Sequence, residues 1–233
     1  MELVVAPIAE LRLRIMHFFE DVVGTTLDRG LGAAPEANTF SCGLTGGSAA
    51  LLFLGALRDA TVPWSRITLY WGDERAVPPD SPESNYALAE QMLIKPLGAR
   101  APNAIRMQAE MPDLPFAAKQ YAKLLPPALD LLILGVGDDG HVCSLFPGHK
   151  ALLAKEASVT AITDSPKPPP RRMTLTMPYV VRSQNIWVVA VGERKRLLLQ
   201  RAVSGEAAET PLDLVVTQAK AVTLFTDQAL HRR

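Results

Sequence analysis

Short apolar runs alternate with amphipathic segments along most of this chain. Residues 131–134 form an unbroken apolar run closed by Gly135, which is typical of a central parallel strand covered on both faces. Residues 8–27 place apolar side chains at helical spacing, beginning with Leu11 and Ile15. Further strands are predicted at residues 1–6, 40–44, 67–71, 104–107, 158–162, 185–191 and 222–225, and further helices at 49–57, 84–92, 114–125 and 197–203.

This alternation predicts an α/β fold, a doubly wound and mostly parallel sheet flanked by helices in a Rossmann-like arrangement. No repeat or domain boundary interrupts it, so residues 1–233 are expected to form a single domain. Residues 173–177 alternate methionine or leucine with threonine, which predicts a half-buried strand. Residues 30–35 and the proline-rich residues 165–170 are expected to be loops, and the tail ends in solvated Arg232 and Arg233.

The overall composition is ordinary for a globular protein. Lys plus Arg and Asp plus Glu number 24 each, charged residues make up 21% of the chain, and the pI is about 6.9. This balance indicates neither nucleic acid nor membrane as a partner, and no apolar run approaches the roughly 20 residues of a membrane span. Cys42 and Cys143 are too few for a disulfide framework, which favours reduced thiols and a cytoplasmic protein.

The densest candidate chemistry follows the predicted central strand, where glycines at positions 135, 137 and 140 let the backbone approach a ligand closely. The polar residues among and after them are Asp138, Asp139, His141 and Ser144. The glycines also spell the dinucleotide pattern G-x-G-x-x-G, but Pro147 and Gly148 interrupt the chain where that motif needs a helix. Asp164 follows the glycines at a sequence spacing that suits a ribose contact, so spacing alone does not exclude nucleotide binding.

A second candidate site follows the predicted strand 40–44. Gly46, Gly47 and Ser48 stand between this strand and a predicted helix, with Ser48 at or near the N-cap. Free N–H groups, the positive end of a helix and hydroxyl donors together make an anion cradle. A plain tight turn with a capping serine explains the same residues equally well.

Charged residues follow two further predicted strands. Asp73, Glu74 and Arg75 come after strand 67–71, and Arg75 offers a planar fork of donors that suits phosphate or carboxylate. Residues 194–196 are basic and open the predicted helix 197–203 against its dipole, a strain that a bound anion would relieve. Solvated charge runs are the alternative for both segments.

His141 allows several interpretations. With His149 and the neighbouring aspartates it could hold a metal ion, although the spacing matches no tetrahedral zinc pattern. Cys143 or Ser144 beside it could be a nucleophile, although sequence neighbours seldom form a dyad. A lone histidine is often structural, but the glycines and aspartates around this one favour a general base.

Taken together, these segments resemble the 6-phosphogluconolactonases, within the wider group of glucosamine-6-phosphate deaminase-like folds. The motifs that carry the resemblance, in family order, are residues 44–48 (LTGGS), 71–75 (WGDER) with 77–78 and 84–86, 135–148 (GVGDDGHVCSLFPG), 172–176 (RMTLT), and Gly192 with Lys195. Val142 and Cys143 depart from the threonine and alanine that commonly follow the histidine, which removes one hydroxyl from the expected substrate contacts.

The resemblance implies hydrolysis of 6-phospho-D-glucono-1,5-lactone to 6-phospho-D-gluconate in the oxidative pentose phosphate pathway, with no metal or cofactor. It implies that His141 is the catalytic base beside Asp139. The residues implied for the sugar phosphate are Gly46, Gly47, Ser48, Arg75, Arg172 and Lys195. Backbone N–H groups of Gly137 and Gly140 are expected at the oxyanion, with Asp73, Glu74 and Asp138 elsewhere in the pocket.

Two other functions stay open. The aminosugar-phosphate deaminase and isomerase branch shares the phosphate cradle and the histidine turn, although residues 73–75 and 144–148 resemble the lactonase form. A non-catalytic sugar-phosphate-binding protein would have little use for His141. The expected partner is a small-molecule sugar phosphate lactone, bound by a monomer or homodimer.

Overall fold

The computed structural model describes residues 1–29, 38–205 and 210–231. Its strands are β1 (Glu2–Val5), β2 (Phe40–Leu44), β3 (Ile67–Trp71), β4 (Asp73–Arg75), β5 (Asn103–Ile105), β6 (Leu131–Gly135), β7 (Val159–Ile162), β8 (Arg172–Leu175), β9 (Asn185–Val189) and β10 (Val222–Thr226). The loop predicted at residues 30–35 and the solvated tail of Arg232 and Arg233 lie outside the described residues.

The helices follow the predicted order, with three additions. They are α1 (Ile8–Arg29), α2 (Ala50–Asp59), α3 (Asn85–Ala89), α4 (Lys95–Leu97), α5 (Leu114–Leu124), α6 (Met177–Val181), α7 (Arg196–Ser204) and α8 (Pro211–Gln218). A π-helical turn, Glu90–Ile94, joins α3 to α4, and 3₁₀ turns cover Trp64–Arg66, Gly98–Arg100, Lys150–Leu153 and Glu193–Lys195. The sequence pattern does not predict α4, α6 and α8. None of the helices in the described ranges has the length and apolar content that crossing a bilayer requires.

Seven of the strands form one parallel sheet in the order β1-β10-β9-β6-β2-β3-β5. β6 takes the middle position, and its first four residues, Leu131 to Leu134, are buried. An unbroken apolar run is stable where both faces of a strand are covered. The predicted central strand and the doubly wound, mostly parallel sheet are therefore confirmed.

Helix α1 contributes one apolar stripe to the core. Its buried residues recur every four positions and so share one face: Leu11, Ile15, Phe19, Val23 and Leu27. The Phe19 ring meets Trp187 of β9 edge-on, with ring centroids 6.4 Å apart. The helix predicted at residues 8–27 is confirmed, and it continues to Arg29.

A second sheet, which the sequence pattern does not predict, is antiparallel and has the strand order β4-β8-β7. The strand predicted at residues 173–177 is present as β8, but it ends at Leu175 and Met177 belongs to α6. All four residues of β8 are buried, so the prediction that this strand is half-buried is wrong. The reason is that the threonine side is covered as well. Thr174 is fully buried, and its Oγ1 atom accepts a hydrogen bond from the Ser144 N–H at 3.2 Å.

The chain connections diverge between the neighbouring strands β2 and β6. From β2 the chain goes on to β3 and β5 on one side, and from β6 it goes on to β9 and β10 on the other. Such a switch leaves a crevice at the carboxyl edge of an open α/β sheet. The ladder between the two strands pairs Cys42 with Leu131 and Gly43 with Leu132 and then ends.

Beyond this ladder, the hydroxyl of Thr45 bridges the two strands. It donates to the Ile133 carbonyl at 3.1 Å and accepts from the Gly135 N–H at 2.9 Å, and the side chain is buried. The half-buried N–H of Gly135 and the carbonyl of the buried Ile133 thus have a side-chain partner beyond the end of the ladder between β2 and β6. Thr45 therefore fixes the width of the crevice at its floor.

Replacing Thr45 by valine should destabilise the protein, because a methyl group can neither donate to Ile133 nor accept from Gly135. We expect the free energy of unfolding to fall by about 1–3 kcal/mol, and to fall less in Thr45→Ser, which keeps the hydroxyl. Urea unfolding followed by circular dichroism measures both variants. Equal stability of Thr45→Val and the wild type would show that this bridge does not join β2 to β6.

Candidate active site

A cavity of about 440 Å³ occupies the crevice at the carboxyl ends of β2 and β6. This volume is in the range of small-molecule sites. The predicted site residues that line it are Gly46, Gly47, Ser48, Asp73, Arg75, Gly137, Asp138, His141, Arg172 and Lys195. Glu74, Asp139 and Gly140 are outside the lining. The structure thus brings together residues from five loops or strand ends that are far apart in the chain.

The charged side chains of the cavity lining favour the binding of an anion. The basic ones are Arg75, Lys167, Arg172, Arg194 and Lys195, and the acidic ones are Asp73, Asp138 and Glu193. A cleft with an excess of one sign of charge concentrates ligands of the opposite sign. Phosphate and carboxylate are the anions that lysine and arginine commonly bind in proteins.

His141 lines the cavity with a fixed ring orientation. Its Nδ1 atom lies 2.5 Å from Oδ1 of Asp139, and the Lys167 ammonium donates to the same carboxylate oxygen at 3.1 Å. The Phe146 ring packs against the imidazole, with centroids 4.5 Å apart. A side chain at position 137 would destroy this geometry, because a Cβ there would lie 1.9 Å from His141 Nδ1.

The protonation of this pair follows from its surroundings. Burial lowers the pKa of His141 below its usual range and outweighs the hydrogen bond and charge of Asp139, which raise it. Partial burial raises the pKa of Asp139, but the hydrogen bond and charge of His141 and the Lys167 ammonium bring it down to about 2. Asp139 is therefore an ionised acceptor, which assigns the proton of the neutral imidazole to Nδ1. The Nε2 lone pair is left to accept a proton.

The two amides expected at an oxyanion are engaged within the turn. The Gly137 N–H donates to the His141 carbonyl at 2.9 Å, and the Gly140 N–H donates to the Gly137 carbonyl at 3.0 Å. Gly140 also has φ 81°, a left-handed conformation that glycine adopts without strain. Contrary to the expectation from sequence, both amides close the tight turn that positions His141 and neither is available to a ligand.

The glycine-serine turn, residues 46–48, leaves its donors beside the cavity. Within the described parts of the chain, the N–H groups of Gly46, Gly47 and Ser48 and the Ser48 hydroxyl donate to no other residue. Ser48 precedes the N-cap of α2, which is Ala49, and no side chain caps that helix. Gly46 packs closely on Asn85, since a Cβ would lie 1.9 Å from its Oδ1 atom. The anion cradle is thus better supported than a capping serine.

Lys195 approaches the same cavity from the 3₁₀ turn Glu193–Lys195. It is buried, and its ammonium donates to Oδ1 of the exposed Asp138 through a short hydrogen bond. This hydrogen bond and the positive charge lower the pKa of Asp138. Lys195 therefore has one carboxylate partner in the described structure and further N–H groups for a ligand.

Arg172 lines the cavity but is largely occupied by protein partners. Its guanidinium donates to the carbonyls of Lys167, Pro168 and Pro169 at 3.1, 2.8 and 3.0 Å, and to Ser144 Oγ at 3.3 Å. The residue is 4% exposed, and this burial lowers its pKa. The side chain predicted to bind phosphate therefore mainly holds the loop of residues 165–170 against β8.

A buried carboxylate extends this network to the second sheet and α3. Asp73 accepts from Ser144 Oγ through Oδ2 at 2.7 Å and from Asn85 Nδ2 through Oδ1 at 3.1 Å. Both partners are themselves buried. Asp73 thus connects the loop that bears His141 with the residue that supports the glycine-serine turn.

Glu74, expected in the pocket, has a structural position instead. It accepts from the N–H groups of Arg75, Asn85 and Tyr86, each at 2.8 Å, and from Ser84 Oγ at 2.9 Å. Its side chain points away from the cavity lining because successive residues of a strand face opposite sides, and Asp73 takes the cavity side. Glu74 therefore fixes the start of α3.

Comparisons with known proteins agree with this geometry. The family described as "Glucosamine-6-phosphate isomerases/6-phosphogluconolactonase" matches residues 18–225. A human protein named 6-phosphogluconolactonase is 40% identical over 208 residues, which cover 83% of this chain and 80% of the human one. This chain belongs to that family.

Solved structures of the family have the same architecture. The crystal structure of 6-phosphogluconolactonase from Thermotoga maritima is 26% identical, with a TM-score of 0.75 over 96% of this chain and 97% of that one. A 6-phosphogluconolactonase from Shewanella baltica has a TM-score of 0.83 at 23% identity, with 97% of each chain covered. The glucosamine-6-phosphate deaminase-like fold is therefore confirmed.

His149 and Cys143, the other candidate groups near His141, have structural environments. Both ring nitrogens of His149 are engaged, since Nε2 contacts Asp164 at 3.2 Å and Nδ1 accepts from the Ala151 N–H at 3.1 Å. Burial raises the pKa of the Cys143 thiol well above its usual value, so it is not a thiolate nucleophile. The described residues include no group of three His, Cys, Asp or Glu side chains placed to hold a metal ion.

The dinucleotide motif lacks its helix in this family member. Within residues 135–149 the chain forms turns, and the next helical segment is the 3₁₀ turn Lys150–Leu153. No helix N-terminus therefore points at the glycines, which is the feature on which pyrophosphate binding depends.

Sequence reasoning missed three residues that shape the site. Thr45 bridges the strands, Asn85 supports the glycine-serine turn, and Lys167 contacts Asp139. The one signal for Lys167 in the sequence is that it is the single charged residue in the proline-rich segment 165–170. A loop does not require a charged residue at that position. The distance of 28 residues between Lys167 and Asp139 hides the contact.

The charges around His141 predict how its pKa responds to substitution. Lys167→Met should raise the pKa, because the ammonium opposes protonation, whereas Asp139→Asn should lower it by removing a favourable charge. In the wild type we expect a midpoint below the ordinary value of about 6.5. Nuclear magnetic resonance titration of the imidazole signals measures this, with His141→Gln assigning the resonance. A midpoint that moves the same way in both variants would contradict the arrangement.

Proposed function

We propose that this chain hydrolyses 6-phospho-D-glucono-1,5-lactone to 6-phospho-D-gluconate, the second step of the oxidative pentose phosphate pathway. The family includes both isomerases and lactonases, and the relatives that cover most of the chain decide between them. Proteins from human and rat at 40% and 39% identity both have the name 6-phosphogluconolactonase. Identity at this level over most of both chains supports the same reaction.

One observation of the structure carries the proposal. A neutral histidine, whose Nε2 atom has no hydrogen-bond partner among the described residues, lines the same 440 Å³ cavity as the glycine-serine turn and the buried ammonium of Lys195. The donors of that turn, residues 46–48, are likewise unpartnered within the described parts of the chain. An ester carbonyl needs a general base close by, and a sugar phosphate needs a site for its dianion at the far end of the same molecule. The lining of this single cavity contains both kinds of group.

In the proposed mechanism, Nε2 of His141 takes a proton from a water molecule whose oxygen attacks the lactone carbonyl carbon. The carbonyl electron pair moves to oxygen and gives a tetrahedral oxyanion. When the pair returns, the bond between the carbonyl carbon and the ring oxygen breaks, and the imidazolium returns its proton to that oxygen. Asp139 remains ionised throughout, orients the ring and stabilises the imidazolium.

The phosphate would bind to the glycine-serine turn. The N–H groups of residues 46–48, the Ser48 hydroxyl and the Lys195 ammonium are the donors that support this assignment. Arg75 contributes positive charge from β4, where one of its nitrogens, Nε, is buried without a partner among the described residues. Charge-assisted hydrogen bonds of this kind are about twice as strong as neutral ones.

Removing the base should abolish most of the rate enhancement. His141→Gln should reduce kcat by about 10²- to 10⁴-fold, because glutamine has no basic lone pair to take the proton from water. Acid release from freshly generated lactone, corrected for spontaneous hydrolysis, measures this. His149→Gln is the matched control and should keep wild-type activity, since both its ring nitrogens have protein partners and the residue is outside the cavity lining.

Two outcomes would decide against this assignment. Equal activity of His141→Gln and the wild type would show that His141 is not the base. Ammonia release from glucosamine 6-phosphate by the wild type, without lactone hydrolysis, would assign the chain to the isomerase branch of its family.

The pairing of Lys195 with Asp138 predicts opposite effects on substrate affinity. Lys195→Met should raise KM at least about tenfold with little change in kcat, because a charged hydrogen bond to phosphate contributes about 1.5–3 kcal/mol. Asp138→Asn should lower KM a few-fold, since Lys195 then no longer shares its charge with a carboxylate. Steady-state kinetics measure both. Neither variant should change the hydrolysis of unphosphorylated gluconolactone, and an equal effect on it would place the phosphate elsewhere.

A further inference from the structure

Lys167 contacts the histidine-aspartate pair at the reacting end of the site. Its ammonium lies 3.1 Å from Asp139 Oδ1 and 3.4 Å from His141 Nδ1, and the side chain lines the cavity. It belongs to the proline-rich loop of residues 165–170, whose position in the sequence indicates no function. Its side chain is 42% exposed, so the fold does not depend on burying it.

The backbone that carries this lysine is held in place. The buried Arg172 guanidinium donates to the carbonyls of Lys167 and of the two prolines that follow it. Ser165 adds a hydrogen bond from its hydroxyl to the Lys167 carbonyl at 2.8 Å, and the Ser165 N–H donates to the Pro170 carbonyl at 3.0 Å. Three consecutive prolines further restrict the backbone. Because a buried arginine fixes this loop, the Lys167 side chain extends from a defined backbone position.

The ammonium also has donors to spare. Of its three N–H groups, one is directed at Asp139, and His141 Nδ1 carries a proton and cannot accept. The remaining donors lie beside the imidazole that activates water. The turn amides of Gly137 and Gly140, which would otherwise stabilise an oxyanion here, are both engaged with backbone carbonyls. The lactone carbonyl therefore needs another donor, and Lys167 is placed to supply it.

We propose that Lys167 is a catalytic residue whose ammonium binds the lactone carbonyl oxygen and stabilises the oxyanion formed when water attacks. The inference rests on the proposed lactone hydrolysis and assigns a residue to one of its steps. Lys167 stays protonated throughout: the attacking water loses its proton to His141, the ring oxygen later receives it, and Lys167 contributes only hydrogen bonds and charge. After ring opening the same ammonium faces the product carboxylate.

The decisive experiment compares Lys167→Met and Lys167→Arg with the wild type in the lactone assay. Lys167→Met should lower kcat by about 10²- to 10³-fold, the usual effect of losing one oxyanion donor, with KM changing less than about threefold. Lys167→Arg keeps a cation and should recover a large part of kcat. Lys155→Met, an exposed lysine outside the cavity, is the matched control and should match the wild type.

The pH profile provides a second measurement that a purely structural role would not change. The charged groups that act on His141 are Asp139 and Asp73, which raise its pKa, and Lys167, which lowers it. Removing Lys167 should therefore move the acid limb of kcat/KM to higher pH, whereas Lys167→Arg should leave it near its original position. Both variants should unfold in urea like the wild type.

The outcomes separate this inference from the function on which it rests. A wild type without lactonase activity would overturn the proposed function. A wild type with activity, together with a Lys167→Met variant of unchanged kcat and acid limb, would overturn the role of Lys167 alone. Equal losses in Lys167→Met and Lys167→Arg, with an unchanged acid limb, would likewise contradict it and assign the lysine to loop structure.

Discussion

The crevice between β2 and β6 is the feature on which the rest of the site depends. Because the connections of these strands diverge, the loops that follow them face each other across the gap. Thr45 keeps the two strand ends together with one hydroxyl that donates to one strand residue and accepts from another. The glycine-serine turn then continues from one strand and the histidine turn from the other, so a phosphate cradle and a general base share one cavity.

Buried charges connect this crevice with the second sheet. Asp73 and Arg172 are each only 4% exposed, and burying a charge is strongly unfavourable unless its hydrogen bonds are satisfied. Here Ser144 lies between them, donating to Asp73 and accepting from Arg172. The network thereby joins β4, β8 and the histidine loop, and through Arg172 it fixes the loop that bears Lys167. The second sheet supplies the supports of the active site.

Several elements could be predicted because their cause is local. The buried side chains of β6 and α1 follow from the sequence alone, because β6 is an unbroken apolar run and α1 has apolar residues every four positions. The capping box of Thr210 and Asp213 at the start of α8 was an equally local signal that the hydrophobic pattern overlooked. In contrast, the alternating residues of β8 suggested one exposed face, and only the packing of the histidine loop on Thr174 buries both.

The sequence by itself determined the parallel sheet, its central strand, and the gathering of glycines, His141 and the cradle at strand ends, because parallel strands present their carboxyl ends at one edge whatever the details of packing. Only the tertiary structure decided what each polar group does there. It engaged the Gly137 and Gly140 amides within a turn, turned Glu74 to the start of α3, and gave most of the donors of Arg172 to a loop. A hydrogen bond forms only when a donor and an acceptor lie within about 3 Å of each other. For residues far apart in the sequence, their separation along the chain does not determine that distance.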